Sequence, residues 1–93
     1  MSASKSTRKA ARTQERRRLY NRSIRRRTRT MLRAARESTA SGDVERAQNA
    51  TRVAISALDR AVSKGVLHKN TAARLKSRLA RRTRGLIAHA ADS

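Results

Sequence analysis

Arginine recurs along one stretch of the chain at the spacing of an α-helical face. The positions are separated by steps of three or four residues and are Arg18, Arg22, Arg25, Arg29, Arg33 and Arg36. A guanidinium group is always charged and presents a planar fork of N–H donors that can bind one phosphate through two bonds. On a helix with 3.6 residues per turn these side chains form one ridge, which predicts a phosphate-binding surface. The alternative, a solvated helix face, usually carries Glu partners, and only Glu15 and Glu37 are available here.

The whole chain shows the same imbalance of charge. Its 93 residues include 25 Lys or Arg and 6 Asp or Glu, for a formal net charge of +19. A compact domain with this charge repels itself, so we expect a polyanionic partner, with nucleic acid as the leading candidate. Arg greatly outnumbers Lys, which favours folded RNA with loops and junctions. Because the chain has one Tyr and no Phe or Trp, recognition of backbone shape is favoured over stacking on bases.

Other functional classes fit the composition poorly. The chain has no Cys, which excludes disulfides and cysteine-based zinc sites and is consistent with a reducing cytoplasm. His68 and His89 have no acid pair or metal-ligand spacing beside them, so we expect no catalysis, metal or cofactor, and His68 is expected to be a loop or capping group. No apolar run approaches the ~20 residues of a membrane span. The basic N-terminal segment lacks the apolar middle of a signal peptide and is too long to favour a transit peptide.

The elements that must position the arginines are predicted to be helices of an all-α, three-helix bundle, a single domain over residues 1–93. The chain has no Pro, strand signals are absent, and two of the three Gly residues lie where the apolar periodicity stops. The expected helices span about Ser6–Ala40, Val44–Lys64 and Thr71–Ala90. Asp43 is expected to be the N-cap of the second helix and Gly65 its left-handed C-cap.

The predicted core is lined by small and apolar residues at helical spacing. The second helix contributes Val44, Ala47, Thr51, Ala54, Leu58 and Ala61. The third contributes Ala72, Leu75, Leu79, Leu86 and Ala90, and the first Tyr20, Ile24, Met31 and Ala35. Tyr20 is therefore expected in the core and not as a stacking residue. After Met1 the chain has only 16 Val, Ile, Leu, Met and Tyr residues, so we expect a marginally stable bundle that needs its partner.

The N-terminal half of the first helix is predicted to project beyond the bundle. Its basic residues surround most of the helix and are Lys5, Arg8, Lys9, Arg12, Arg16, Arg17 and Arg18. A helix of this length measures ~50 Å, more than the other two helices can cover. We expect this half to be frayed or disordered in the free protein, residues 1–7 in particular, and to become helical against phosphates.

The third helix carries a second basic face. Opposite its apolar arc lie Arg74, Arg78, Arg81 and Arg82. Gly85 falls inside this basic arc, where it indicates either close approach of a phosphate or sugar, or a fraying terminal turn. The second helix is nearly neutral, with 4 basic and 3 acidic side chains in residues 43–64. We therefore expect the partner to contact the first and third helices, with the second supporting them from behind or facing solvent.

A resemblance to a known family is concentrated in the segment Lys64-Gly65-Val66-Leu67-His68-Lys69-Asn70-Thr71-Ala72-Ala73-Arg74, followed by Lys76, Ser77, Arg78 and Leu79. This segment resembles the signature of the bacterial ribosomal small-subunit protein twenty family. Similar residues also occur upstream at Lys5-Ser6, Asn21-Arg22-Ser23, Arg29-Thr30 and Gly42-Asp43. The resemblance covers about residues 5–82. It implies a three-helix bundle with a long first helix that binds small-subunit ribosomal RNA and helps that subunit assemble. We expect the protein to be monomeric within the ribosome, with few or no protein contacts.

Residues expected at the RNA come from the charge pattern and from this resemblance. The resemblance implies Lys5, Ser6, Asn21, Arg22, Ser23, Arg29, His68, Lys69, Asn70, Arg74 and Arg78. The complete predicted set is Lys5, Ser6, Arg8, Lys9, Arg12, Arg16, Arg17, Arg18, Asn21, Arg22, Ser23, Arg25, Arg26, Arg29, Arg33, Arg36, His68, Lys69, Asn70, Arg74, Arg78, Arg81 and Arg82.

Two alternative functions remain at this point. A histone-like protein that compacts DNA could use the same charge, although the sequence shows no leucine zipper, zinc ligands or recognition helix. A membrane-surface peptide is disfavoured because the faces opposite the basic ones are rich in Ala and Thr and not in bulky apolar residues.

Overall fold

The computed structural model describes residues 4–92 of the 93-residue chain. Over that range it consists of α1 (Lys5–Ser41), α2 (Val44–Ser63) and α3 (Lys69–Asp92), with no strand among the described residues. The predicted all-α three-helix bundle is confirmed. The predicted start of α2 at Val44 is confirmed. The predicted and observed ends differ by one residue at each end of α1, by one at the end of α2 and by two at each end of α3.

Local interactions set both ends of α1 and the start of α2. The side chain of Ser4 accepts a hydrogen bond from the backbone N–H of Thr7 and caps α1. Gly42 ends α1 in the left-handed region, with φ 82°. Asp43 then accepts from the backbone N–H of Arg46 at 3.1 Å, which confirms it as the N-cap of α2. Because only two residues separate α1 from α2, the two helices form an antiparallel hairpin.

The end of α2 is a glycine-dependent capping motif. Gly65 has φ 73°, as predicted for a left-handed residue, although the C-cap itself is the preceding Lys64. The N–H of Gly65 donates to the carbonyl of Val62 at 3.0 Å, and the N–H of Val66 donates to that of Ala61 at 2.9 Å. This pair of bonds is the Schellman arrangement, which satisfies the last carbonyls of the helix and turns the chain toward α3.

The core forms along α2, which packs against both other helices, whereas α1 and α3 contact each other less. Its buried apolar residues are Ala35, Ala47, Ala54, Leu58, Ala61, Ala72 and Leu79. Of the predicted α2 seam only Val44 is partly exposed. Leu58 is the largest fully buried side chain. Since the alanine side chain is a single methyl group, helices that pack through alanine can approach closely while burying little apolar bulk.

Four hydroxyl side chains are also buried and satisfied. Thr28 and Ser38 donate to the carbonyls of Ile24 and Ala34 in their own helix, each at 2.8 Å. The hydroxyls of Thr51 and Thr83 bond each other at 2.8 Å across α2 and α3. Among the described residues no buried side-chain N or O atom lacks a partner. Apolar periodicity did not single out Thr28, Ser38 or Thr83, because a threonine or serine that bonds a backbone carbonyl can occupy a core position.

Two core predictions are wrong. Tyr20 is 50% exposed, because in the antiparallel hairpin α2 ends at Ser63, opposite the stretch of α1 around Tyr20. Ala90 is exposed, because it lies near the end of α3, past the buried part of that helix, which ends with Thr83. Helical periodicity identifies which face is apolar, but it does not show whether another helix lies opposite that face.

The projection of α1 is confirmed. Every residue from Ser4 to Tyr20 is exposed, and the molecule measures 72 × 22 × 15 Å. With 37 residues, α1 is ~55 Å long, far longer than α2. The disorder expected for residues 1–7 in the free protein stays a prediction, and Met1–Ala3 lie outside the described residues.

Candidate nucleic-acid interface

The six arginines of the first sequence pattern, here called the arginine ridge (Arg18, Arg22, Arg25, Arg29, Arg33 and Arg36), are all exposed on α1. Four of them line one shallow concavity together with Arg26. Among residues 4–92, Arg18 alone of the six has an acidic partner, Glu15, at 2.9 Å, and both side chains of that pair are mostly exposed. A surface ion pair of this kind contributes ~0–1 kcal/mol, so the ridge is essentially unneutralised.

The ridge continues onto α3 across a narrow groove. Arg36 of α1 lines this groove together with Arg78 and Arg82 of α3. The floor between them is apolar and consists of Leu32, Leu75 and Leu79. Packing of α1 and α3 on α2 therefore places two arginine rows, predicted separately from each helix, side by side. We call the arginine ridge together with Arg78 and Arg82 the basic surface.

The turn before α3 is held by His68. Its Nδ1 accepts from the backbone N–H of Asn70 at 3.1 Å, and its carbonyl accepts from the N–H of Ala72 at 3.1 Å. The predicted capping role is confirmed. Lys69 and Asn70 are exposed in the first turn of α3, where the helix dipole adds positive potential.

The projecting half of α1 presents a further basic face. Lys5, Arg8, Lys9, Arg12 and Arg16 lie along one side of it together with Thr13. Lys5 and Arg36 are 31 residues apart on one helix, which is ~46 Å. This face is therefore separate from the groove between α1 and α3, and a partner that contacts both must be extended or folded around the helix.

All 23 residues of the predicted set are exposed except Asn21, which is partly buried. Ser23 does not lie with the ridge: it lines a cleft between α1 and α2. Two arginines of that cleft, Arg27 and Arg60, were missed by the sequence analysis. Arg27 is part of a run of three arginines, and helical projection places it ~160° from Arg25, but its proximity to Arg60 depends on the register of the hairpin.

Acidic side chains are few, and none of those in the described chain lines the basic concavities of α1 or the groove between α1 and α3. Asp59 of α2 accepts from the Nζ of Lys76 of α3 at 2.7 Å. Within residues 4–92 no group of His, Asp or Glu side chains is arranged to hold a metal ion. Over the same range no helix combines the length and the apolar character needed to cross a membrane.

Comparison with known proteins gives a consistent match. The family model described as ribosomal protein S20 matches residues 3–84. The small ribosomal subunit protein bS20 of Thermomicrobium roseum is 48% identical over 87 residues, which are 94% of this chain and 88% of that protein. The proteins of the same name from Streptomyces griseus and Dinoroseobacter shibae are also 48% identical, over 84 and 88 residues. These alignments cover 90% and 95% of this chain and 96% and 100% of the relatives.

Proposed function

Since this chain belongs to the ribosomal protein S20 family, we propose that it is a non-enzymatic structural constituent of the small subunit of the cytoplasmic ribosome. It binds small-subunit ribosomal RNA directly and supports assembly of that subunit. The observation that carries this proposal is the basic surface, where arginines from α1 and α3 flank one groove and lack acidic partners apart from Arg18.

The mechanism follows from electrostatics. Guanidinium groups crowded along α1 and α3 repel one another, and phosphates that bind between them remove this repulsion. Two helices that each bind phosphates hold two RNA segments in one relative orientation. The RNA in return stabilises a bundle whose buried core is mostly alanine. Protein and RNA thus order each other, which is the property an assembly protein needs.

The salt dependence of binding tests this mechanism. If about eight phosphates are engaged, the affinity of the full chain for small-subunit ribosomal RNA falls with a log–log salt slope of roughly −6 to −7. Replacing Arg22, Arg25 and Arg29 together by Gln should reduce the magnitude of this slope by ~2–3. A slope near zero for the unmodified chain contradicts direct phosphate binding.

The matched control is Arg52→Gln. Arg52 is exposed on α2, and its guanidinium group donates to the Oδ1 of Asn49 at 3.4 Å. This change also removes one positive charge, but it lies outside the basic surface, so the slope should stay the same. If Arg52→Gln reduces the magnitude of the salt slope as much per removed charge as the Arg22, Arg25 and Arg29 variant does, binding depends on net charge alone. In that case the basic surface has no special role.

Competition between ligands separates this function from DNA compaction. A histone-like protein should bind duplex DNA and folded ribosomal RNA equally at physiological salt. We expect folded small-subunit RNA to displace duplex DNA and the protein to co-sediment with small subunits in high salt. Equal competition by the two nucleic acids, or loss from the subunit fraction, contradicts the ribosomal function.

A further inference from the structure

A cleft of about 250 Å³ lies between α1 and α2, on the flank of α1 away from the basic surface. Its walls are stripes of residues at helical spacing: Tyr20, Ile24 and Arg27 come from α1, and Val53 and Arg60 from α2. Since the hairpin is antiparallel, Arg60 near the end of α2 lies opposite the α1 segment that carries Tyr20 and Ile24. The cleft therefore lies where α1 leaves the bundle.

The apolar part of the cleft is open to solvent. Tyr20 and Val53 are 50% and 49% exposed, and both are among the most exposed large apolar side chains in the described chain. Tyr20 is also the one Tyr of a sequence that has no Phe or Trp. It belongs neither to the buried core cluster nor to the partly buried apolar side chains that pack against that cluster.

The charged part of the cleft is unneutralised. Arg27 and Arg60 are exposed, and among the described residues neither has an acid within ion-pair distance. Asp59, the residue next to Arg60, instead accepts from Lys76 on the α3 side. The cleft thus combines an exposed aromatic ring and an apolar floor with two free guanidinium groups.

We infer that this cleft binds one unpaired nucleotide of an RNA, with the base against Tyr20 and its phosphates between Arg27 and Arg60. A nucleotide is a ligand that has both an apolar planar face and negative charge, and aromatic rings bind splayed-out bases by stacking. A paired duplex exposes phosphates, sugars and base edges but no base face for stacking, because its bases are stacked inside. The cleft is smaller than the ~300–1,000 Å³ of typical small-molecule sites, which fits a single base. The inference rests on the proposed function and adds an RNA contact on the opposite flank of α1.

Photo-crosslinking tests the position of the base. The photoreactive p-azidophenylalanine is placed at Tyr20 in the full chain, and the complex with isolated small-subunit ribosomal RNA is irradiated. Mapping of reverse-transcription stops should give one unpaired nucleotide for this position and no stop for the same group at Arg52. Crosslinks spread over paired regions overturn the inference. The same protein is also irradiated in assembled small subunits, where a crosslink to a protein and not to RNA overturns it as well.

Affinity measurements test the two interactions separately. Tyr20→Leu should weaken binding to small-subunit ribosomal RNA by about 5- to 150-fold, the range that corresponds to ~1–3 kcal/mol of stacking. Tyr20→Phe should bind within about twofold of the unmodified chain, because Phe presents the same ring. Arg60→Gln should weaken binding more than Arg52→Gln, whose side chain lies outside the cleft.

Failure of this inference can be told from failure of the proposed function. If the unmodified chain shows no salt-dependent binding to the RNA, the proposed function is wrong. If the unmodified chain binds but Tyr20→Leu binds equally well, only the nucleotide cleft is wrong. Because Tyr20 is half exposed, Tyr20→Leu should keep the helix content and melting curve of the unmodified chain, and an affinity loss matched by unfolding contradicts the stacking role.

Discussion

Thr51 of α2 and Thr83 of α3 form a buried hydroxyl pair. The direction of its hydrogen bonds predicts that the two residues contribute unequally to stability. Thr83 donates its hydroxyl hydrogen to the carbonyl of Leu79 at 3.0 Å. Since a hydroxyl has one hydrogen, the 2.8 Å bond between the two side chains must be donated by Thr51 and accepted by Thr83. The two positions are 7% and 8% exposed, so water cannot replace a lost partner easily.

This asymmetry predicts different effects of the two single changes to Val, which keeps the shape and removes the hydroxyl. Thr83→Val leaves the Thr51 donor buried without an acceptor and should lower the free energy of unfolding by ~1–3 kcal/mol. Thr51→Val leaves Thr83 bonded to Leu79 and should have a smaller effect, below ~1 kcal/mol. The double variant removes both hydroxyls and should be more stable than Thr83→Val alone.

Urea and thermal unfolding followed by far-UV circular dichroism measure these differences. Sulfate in the buffer stabilises the free, highly charged chain. For a domain of this size each kcal/mol shifts the melting temperature by ~4–8 °C. If the double variant is destabilised by the sum of the two single effects, the pair is not a coupled unit. A Thr83→Val chain as stable as the unmodified one means that Thr51 turns to a carbonyl of its own helix, and it refutes the reasoning.

Three further predictions concern the helix ends and the RNA-facing helices. Gly85→Ala should stabilise the free chain by ~1 kcal/mol in thermal melts, because nothing lies within 4 Å of an added Cβ. Weaker RNA binding by this variant indicates that a phosphate or sugar approaches Gly85 closely, and unchanged binding excludes such an approach. Asp43→Ala should lower the free energy of unfolding in urea by ~0.5–2 kcal/mol, whereas Asp43→Ser should lower it much less, because Ser also caps helices. An equal loss of stability in both variants argues against capping. Circular dichroism should show less helix in the free protein than in the RNA complex, and equal helix content contradicts folding of the projecting half of α1 on binding.

The sequence determined what depends on neighbours within one helix. The arginine ridge is set by the helical repeat, because residues three or four apart share a face wherever the helix lies. The same holds for the basic face around Arg78. The caps at Asp43 and His68 and the left-handed Gly65 are equally local, since each is fixed by bonds to residues at most four positions away.

Only the tertiary structure decided what depends on residues far apart in the chain. It placed Arg36 beside Arg78, Arg27 in one cleft with Arg60, and Thr51 against Thr83. The tertiary structure also leaves Tyr20 half exposed. The reason is that α2 ends opposite this part of α1, so the ring is not completely covered by a neighbouring helix. The physical reason is that helical periodicity fixes the direction of a side chain about its own axis. What that side chain meets is fixed by the register and packing of the neighbouring helix, and here that packing buries a core cluster to which the small residues Ala35 and Ala54 belong.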